Sequence, residues 1–454
     1  MVRFSRLRIP APLLVSTTVV LALLVIGVEH RGPRTYDADE SDYFVQNSNS
    51  KHPSERQRNA ESSRVEQEGA KETGDAGQKS TVDKDGKGDQ HDAMQCFKDQ
   101  PWIEPALDYF FEPALEAARE STQTTEESMA AIGNITWGEY HPGQDLMVLK
   151  FNKDKKWYDL EIEERFPANR EHKSRCIRPL FKTAVEKHGK DLAEQFQGKE
   201  IKFAVATEDF GLVFRSSRYK LTTFALSTDG DHTDIPIPDF TFGCYPESRY
   251  EDSSWKAIGT MLKEMSSKLS WSERSDSIFH RSNWGVGPRR KLMPLLEKLH
   301  KDGKDVELFG APIDVGNTEF EAKNDENFVR LEDQCKYKTQ IHTAGFSYSA
   351  GLKYKLACGS MVIKFTSKYK EFYEPAVKDG IHVVQVEATD DGVNESTFYN
   401  VTAPKIKNAV KKNLDRQSDI AKAGQDFVMK NLTEDALSCY IYGALQRYAK
   451  IYLS

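Results

Sequence analysis

Apolar residues recur at helical spacing over Trp102–Ser121, Trp255–Leu269, Arg290–His300, Ala403–Asn413 and Glu434–Leu453, and each stretch predicts a helix. Shorter apolar runs predict strands. They are IKFAVATE (Ile201–Glu208), KLTTFALST (Lys220–Thr228), DVELFG (Asp305–Gly310), KTQIHTA (Lys338–Ala344), MVIKF (Met361–Phe365) and IHVVQVE (Ile381–Glu387). Strands separated by helix-length segments imply βαβ units around a parallel sheet, so the fold class is α/β. The alternation is cleaner in the second half of the chain than in the first.

The first 93 residues follow a different pattern. Ile9–Val28 (IPAPLLVSTTVVLALLVIGV) carries no charge and is long enough to cross a bilayer once. Arg3, Arg6 and Arg8 precede it, which keeps the short tail cytoplasmic. Residues 1–31 therefore read as the tail and anchor of a single-pass type II membrane protein. A cleaved signal peptide competes with this reading, although the run is long for one and no small-x-small cleavage site follows. Residues 32–93 are dominated by Ser, Glu, Asp, Lys, Gly and Gln and read as a disordered stem. The folded part then divides into residues 94–250 and 251–454.

Composition narrows the function class. The chain of 454 residues has a net charge of −7, which argues against general affinity for nucleic acid. Its six cysteines all follow the anchor, and an even number suits an oxidising lumen. None stands in a CxxC pair, which argues against a zinc site. N-x-S/T sequons at Asn134, Asn394, Asn400 and Asn431 are candidate N-glycosylation sites.

The stretch between Cys335 and Cys358 has the pattern of a site rather than a core. KTQIHTA ends at Ala344-Gly345, and Ser347 and Ser349 precede a helical run, Ala350–Ala357. That run stops at Cys358-Gly359, where Gly suits the left-handed turn, and MVIKF returns as a strand. A Gly/Ser loop at a helix start offers N–H groups to a phosphate, and Lys353 would add a charge. An ordinary βαβ unit has the same signature. His342 and His382 read as core or loop residues.

The run from CKYK at Cys335, through Gly345, to CGS at Cys358–Ser360 resembles the protein O-glucosyltransferase and capsule-associated xylosyltransferase family, glycosyltransferase family 90. LEDQ before CKYK, IHVVQVE, and Cys439-Tyr440 in a late helix fit the same pattern, over roughly Thr222–Tyr452. SYSAGLKY looks closer to the plant-like branch. The resemblance implies a GT-B-like pair of Rossmann-type domains. Residues 94–250 would face the acceptor, and residues 251–454 would hold the nucleotide sugar and send a final helix back to the first domain. It implies a UDP-sugar donor, UDP-glucose or UDP-xylose, with no metal and no other cofactor. Gly345, Phe346, Ser347, Tyr348 and Ser349 correspond to the loop that embraces the donor. Phe279, His280, Arg281 and Ser282 resemble the family's F-R-G-S strand end, so Ser282 and the following Arg289 would hold the diphosphate. Asp229, with Asp231 as the alternative, would be the catalytic base. The chain departs from the family at Arg281, where F-R-G-S has Gly, and at Gly351, where animal members carry Arg. Lys353 would replace that charge. The family's disulfide pattern implies Cys335–Cys358 and Cys96–Cys439, with Cys176–Cys244 as the remaining pair.

The expectation is a lumenal, inverting glycosyltransferase of the Golgi or endoplasmic reticulum that transfers glucose or xylose to a protein Ser/Thr or glycan hydroxyl. Two alternatives stay open. Asp229-Gly230-Asp231 has the D-x-D form by which metal-dependent transferases hold a cation on UDP. Gly351 would also fit a catalytically inactive, sugar-binding or chaperone-like secretory glycoprotein.

Overall fold

The computed structural model describes residues 93–135, 144–165, 171–318, 326–387 and 394–454. The apolar run Ile9–Val28 and the polar stretch after it lie outside the described residues. Among the described residues no helix is long and apolar enough to cross a membrane.

Two five-stranded sheets organise the unit Asp85–Ser454. The first contains β1 (Gln144–Asn152), β2 (Trp157–Arg165), β3 (Ile201–Ala206), β4 (Phe224–Ala225) and β5 (Ile235–Pro236), in the order β2-β1-β3-β4-β5. β1 runs antiparallel to β2 and β3, and β3, β4 and β5 run parallel. The second contains β6 (Ser275–Ser282), β7 (Ile313–Asn317), β8 (Tyr337–His342), β9 (Met361–Phe365) and β10 (Val384–Val386). All its pairings are parallel, and its order is β10-β9-β8-β6-β7. Chain direction across the sheet reverses between β6 and β8. Such a switch point opens a ligand crevice at the carboxyl ends of the strands.

The main helices are α1 (Ile103–Glu120), α2 (Glu171–Phe196), α3 (Trp255–Ser267), α4 (Arg289–Lys301), α5 (Leu352–Ala357), α6 (Ala403–Lys412), α7 (Gln417–Asn431) and α8 (Glu434–Leu453). Two of these starts follow capping chemistry. Ser254 accepts from the Ala257 N–H before α3, and Thr433 accepts from the Ala436 N–H before α8. α8 is buried on most faces and packs against α1 and α2. Tyr440 donates to the Pro236 carbonyl at 2.9 Å and Tyr448 to that of Lys202 at 3.1 Å, tying the end of the chain to the first sheet. The larger apolar core runs from α1 and α2 through β3 to Leu352, Tyr354 and Leu356 of α5, so it is continuous between the two sheets. A second core, including Ile278, Leu296, Ile341, Ile363 and Ile406, covers the second sheet's other face.

Three expectations are corrected. DVELFG is not a strand: Asp305–Phe309 is a short helix, and the strand lies just beyond, at Ile313–Asn317. The Asp305 carboxylate accepts from the Val306 and Ile313 N–H groups, and Gly310, at φ 79°, closes the turn. A run this short has no period to separate helix from strand. KLTTFALST pairs in the ladder only at Phe224–Ala225, because Thr222 and Thr223 bond to Thr233 and Asp234 side chains. IHVVQVE contributes only Val384–Val386. The bridges Cys96–Cys439, Cys176–Cys244 and Cys335–Cys358 are all present.

Candidate active site

β6 delivers Phe279-His280-Arg281-Ser282 to the switch point, and residues 281–289 form a half-buried run leading into α4. Gly287 has φ +50°, and a Cβ there would lie 1.9 Å from the Gly345 carbonyl oxygen. The loops after β6 and β8 therefore touch backbone to backbone, which only glycine permits. Across this contact Arg289 Nη2 donates to Ser349 Oγ at 2.9 Å and to the Thr343 carbonyl at 3.2 Å. His280 places Nδ1 2.9 Å from the Ile341 carbonyl and Nε2 2.8 Å from Ser282 Oγ. Lys355, from α5, donates to the same Ile341 carbonyl at 2.6 Å and lies 3.5 Å from His280 Nδ1.

The electrostatics of this cluster are one-sided. Burial lowers Arg289 to about 10, and burial together with the Arg289 charge lowers Lys355 to about 7. Burial, followed by the charges of Lys355 and other cations, holds His280 and His342 well below the imidazole range, so both are neutral. Among the described residues no carboxylate offsets either cation. Desolvated cations without an acidic partner are costly unless an anion completes them.

The β8–α5 loop is more inward-turned than its sequence implies. Gly345 N–H donates to the Tyr348 carbonyl at 3.0 Å, so it is engaged within the loop. Ser347 is buried and donates its hydroxyl to the Asp209 carbonyl. Tyr348 is buried, with its phenol held well above its usual value by burial and by Asp239 and other nearby carboxylates. Phe346 packs against Phe210, ring centroids 5.6 Å apart, and with Ser349 and Gly351 remains half-buried. Lys353 does not face the Arg289 cluster. Its ammonium is fully buried between the Asp239 carboxylate (3.3 Å), Thr241 Oγ1 and the Ala350 carbonyl (3.3 Å). A Cβ at Gly351 would sit 3.9 Å from Lys355 Cε, so the lysine beside this position is Lys355. Arg281 is turned toward β7, where it pairs with Asp314 at 2.7 Å.

On the acidic side, Asp229 is 2% exposed. Its Oδ1 lies 2.6 Å from His232 Nδ1 and accepts from the Asp231 N–H at 2.9 Å, and Lys368 lies 3.4 Å from Oδ2. Burial pushes this carboxyl up, but the His232 bond and charge, the Asp231 N–H and Lys368 outweigh it and hold it below the usual range. Asp231 is exposed in the same turn. A second acidic group with access is Asp209, which follows a strand of the first sheet but was not singled out from the sequence. It follows the carboxyl end of β3, its side chain is 36% exposed, and it pairs with Lys173 at 2.6 Å. Its carbonyl oxygen accepts from both Ser227 Oγ (2.8 Å) and Ser347 Oγ. One atom thus joins the Asp229 turn, the donor-loop candidate and the Asp209 backbone. The available signal was position: Asp209 stands one residue beyond the apolar run Ile201–Glu208.

The remaining expected positions are peripheral. Asn134, Asn394 and Asn400 are exposed, whereas Asn431 is half-buried and its amide donates to the Phe427 carbonyl at 3.0 Å. Cys96, His188 and Cys439 gather their ligand atoms within 4.8 Å, but the two sulfurs form a disulfide and offer no thiolate to a metal.

Residues 191–453 match glycosyl transferase family 90, from within α2 to the last turn of α8. The chain is similar to protein O-glucosyltransferase 1 of Rattus norvegicus, with 23% identity over 256 residues, covering 55% of this chain and 62% of the relative. It is similar to the O-glucosyltransferase rumi homolog of Aedes aegypti, with 26% identity over 246 residues, 51% of this chain and 56% of the relative. It is also similar to O-glucosyltransferase rumi of Drosophila melanogaster, with 24% identity over 237 residues, 50% of this chain and 54% of the relative. The matches thus span less than two thirds of these relatives' lengths. The family match takes in β3, the Asp209 and Asp229 loops, the whole second sheet and both loops of the switch point, and this chain belongs to glycosyl transferase family 90.

Proposed function

We propose that this chain transfers glucose or xylose from a UDP-sugar to a hydroxyl of a protein Ser/Thr or a glycan, with inversion and without a metal, in a GT-B-like arrangement of its two α/β halves. The observation that carries this reading is the carboxylate-free pair of a half-buried Arg289 and a buried Lys355 at the β6/β8 switch point. A diphosphate is the anion whose charge and breadth suit that pair, with Ser282 and Ser349 beside it. Asp209, rather than the enclosed Asp229, is the base. It takes the acceptor proton as the acceptor oxygen bonds the anomeric carbon. The bond from that carbon to the UDP oxygen breaks and its electron pair leaves with UDP, where the Arg289 site stabilises the developing charge. The three disulfides and the exposed sequons support a secretory lumen, and Ile9–Val28 supports a type II anchor in the Golgi or endoplasmic reticulum membrane.

The test is UDP release by the purified chain supplied with UDP-glucose or UDP-xylose and an acceptor, with and without a chelator. Asp209→Asn is expected to lower kcat by about 10²–10⁴-fold, and Asp229→Asn to retain turnover. The reverse order would return the base to Asp229. No UDP release from any donor favours the sugar-binding alternative, and loss of activity in chelator favours the metal-dependent one.

A further inference from the structure

We propose that Lys355, acting through His280, decides whether the Ser282 hydroxyl can donate to a diphosphate, which makes it a positioning residue of the donor site. This rests on the donor reading above. The Ile341 carbonyl accepts from Lys355 Nζ at 2.6 Å and lies 2.9 Å from His280 Nδ1, while His280 Nε2 lies 2.8 Å from Ser282 Oγ. A neutral imidazole carries one ring proton, so His280 has two arrangements. With the proton on Nδ1, it donates to Ile341, and Nε2 accepts the Ser282 proton. Ser282 then turns only lone pairs toward a ligand, and a phosphate is repelled. With the proton on Nε2, His280 donates to Ser282 Oγ, and the serine proton is free for a phosphate oxygen. Nδ1 then turns a lone pair toward the Ile341 carbonyl oxygen at 2.9 Å, an arrangement held only where the Lys355 ammonium, 2.6 Å from that oxygen and 3.5 Å from Nδ1, donates to both.

The charge state of Lys355 selects between these arrangements. An ammonium has no lone pair, so it favours the tautomer that turns a lone pair toward it. A neutral amine lacks the charge that offsets the two facing acceptors, and the proton returns to Nδ1, where the Ile341 carbonyl accepts it. Lys355 titrates near neutrality, at about 7, through burial and the Arg289 charge. The groups facing it are His280 on β6, His342 on β8 and Arg289 at the start of α4. Both histidines are held neutral through this range. Lys364 on β9 affects His342 and is itself paired with Glu374. The packing helices α3 and α7 add no charge to the electrostatics of Lys355. The sign follows: below about 7 the ammonium frees Ser282, and above it the serine proton is withdrawn. A phosphate gains negative charge as pH rises past about 6, which works in the opposite direction and cannot mimic the effect.

The experiment is calorimetric titration of the purified full chain with UDP and with uridine at pH 6 and pH 8, alongside ¹⁵N-histidine spectra that read the His280 tautomer. UDP affinity is expected to fall about tenfold from pH 6 to pH 8, a charge-assisted hydrogen bond's worth, with uridine unchanged. K355R, protonated throughout, should hold the pH 6 affinity at pH 8, and K355M should be weak at both. In an S282A background, K355M should cost clearly less than it does with Ser282 present, the remainder being the direct loss of the Lys355 charge from the donor site. The inference is overturned if S282A leaves the Lys355-dependent pH effect undiminished, or if the His280 signals show one tautomer at both pH values. Failure of UDP to bind at either pH would instead overturn the donor reading.

Discussion

Replacing Lys353 with Met separates a structural lysine from a donor-binding one. The Lys353 and Asp239 side chains are 0% and 1% exposed, and the ammonium also lies 4.2 Å from the Phe242 ring centroid. Met is close to Lys in volume, so little cavity is created and the loss is one of charge. It leaves the Asp239 carboxylate without its cation, with only the Thr241 N–H, the Thr241 hydroxyl and the Tyr348 phenol beside it among the described residues. It also removes the cation that offsets Glu371, whose buried carboxyl is already pushed well above its usual range by burial and by Asp239. Breaking a buried pair this way costs about 3–5 kcal/mol. At about 2.1 cal/mol/K per residue over Asp85–Ser454, that is a fall of roughly 4–6 °C in Tm. Differential scanning calorimetry reads the loss, and the folded variant is expected to bind UDP with unchanged affinity at low temperature. Replacing Asp239 with Asn as well should recover part of the stability. An unchanged Tm with lost UDP affinity would refute the structural assignment and return Lys353 to the donor site.

The other expectations concern linkage and cross-links. Asp229 is held below the carboxylate range. His232 is held above the imidazole range, because the Asp229 bond and the charges of Asp234, Asp229 and Asp231 outweigh burial. The pair's contribution is therefore complete from about pH 4 to about pH 6.5; it is lost as pH falls through the lowered Asp229 value and as it rises through the raised His232 value. Asp229→Asn should accordingly lower Tm more near pH 5.5 than near pH 9, and equal losses at the two would contradict the pairing. Replacing Cys96 and Cys439 by Ser opens a link across 343 residues, against 23 for Cys335–Cys358. Chain entropy predicts losses of about 6 and about 3 kcal/mol respectively, and the order is read from denaturant midpoints.

Local pattern was enough for the long elements. The helices at Trp102–Ser121 and Glu434–Leu453, and the strand MVIKF, appear where the apolar pattern places them, because that pattern is written within a few residues of chain. The β8–loop–α5–β9 unit was legible for the same reason, including the left-handed Gly359 that ends it at φ +63°. Ser282 and Arg289 were legible only through the resemblance of Phe279–Ser282 to the family's F-R-G-S strand end, and the structure brings both to the switch point. Short segments such as DVELFG were not, since their state depends on side-chain caps and distant partners.

The chain alone thus determined the α/β class, the long helices and strands, and the loop segments at which chemistry would be sought. Tertiary structure decided which way each polar group points. Lys353 and Lys355 are two residues apart on one short helix, yet one faces Asp239 and the other faces His280. Asp229 and Asp209 both follow strands of the first sheet, yet one is enclosed and the other is partly exposed and paired with Lys173. A linear pattern records which groups are present. Only the packed interior, where an unpaired charge is expensive, settles which of them are consumed by the fold and which are left for a ligand.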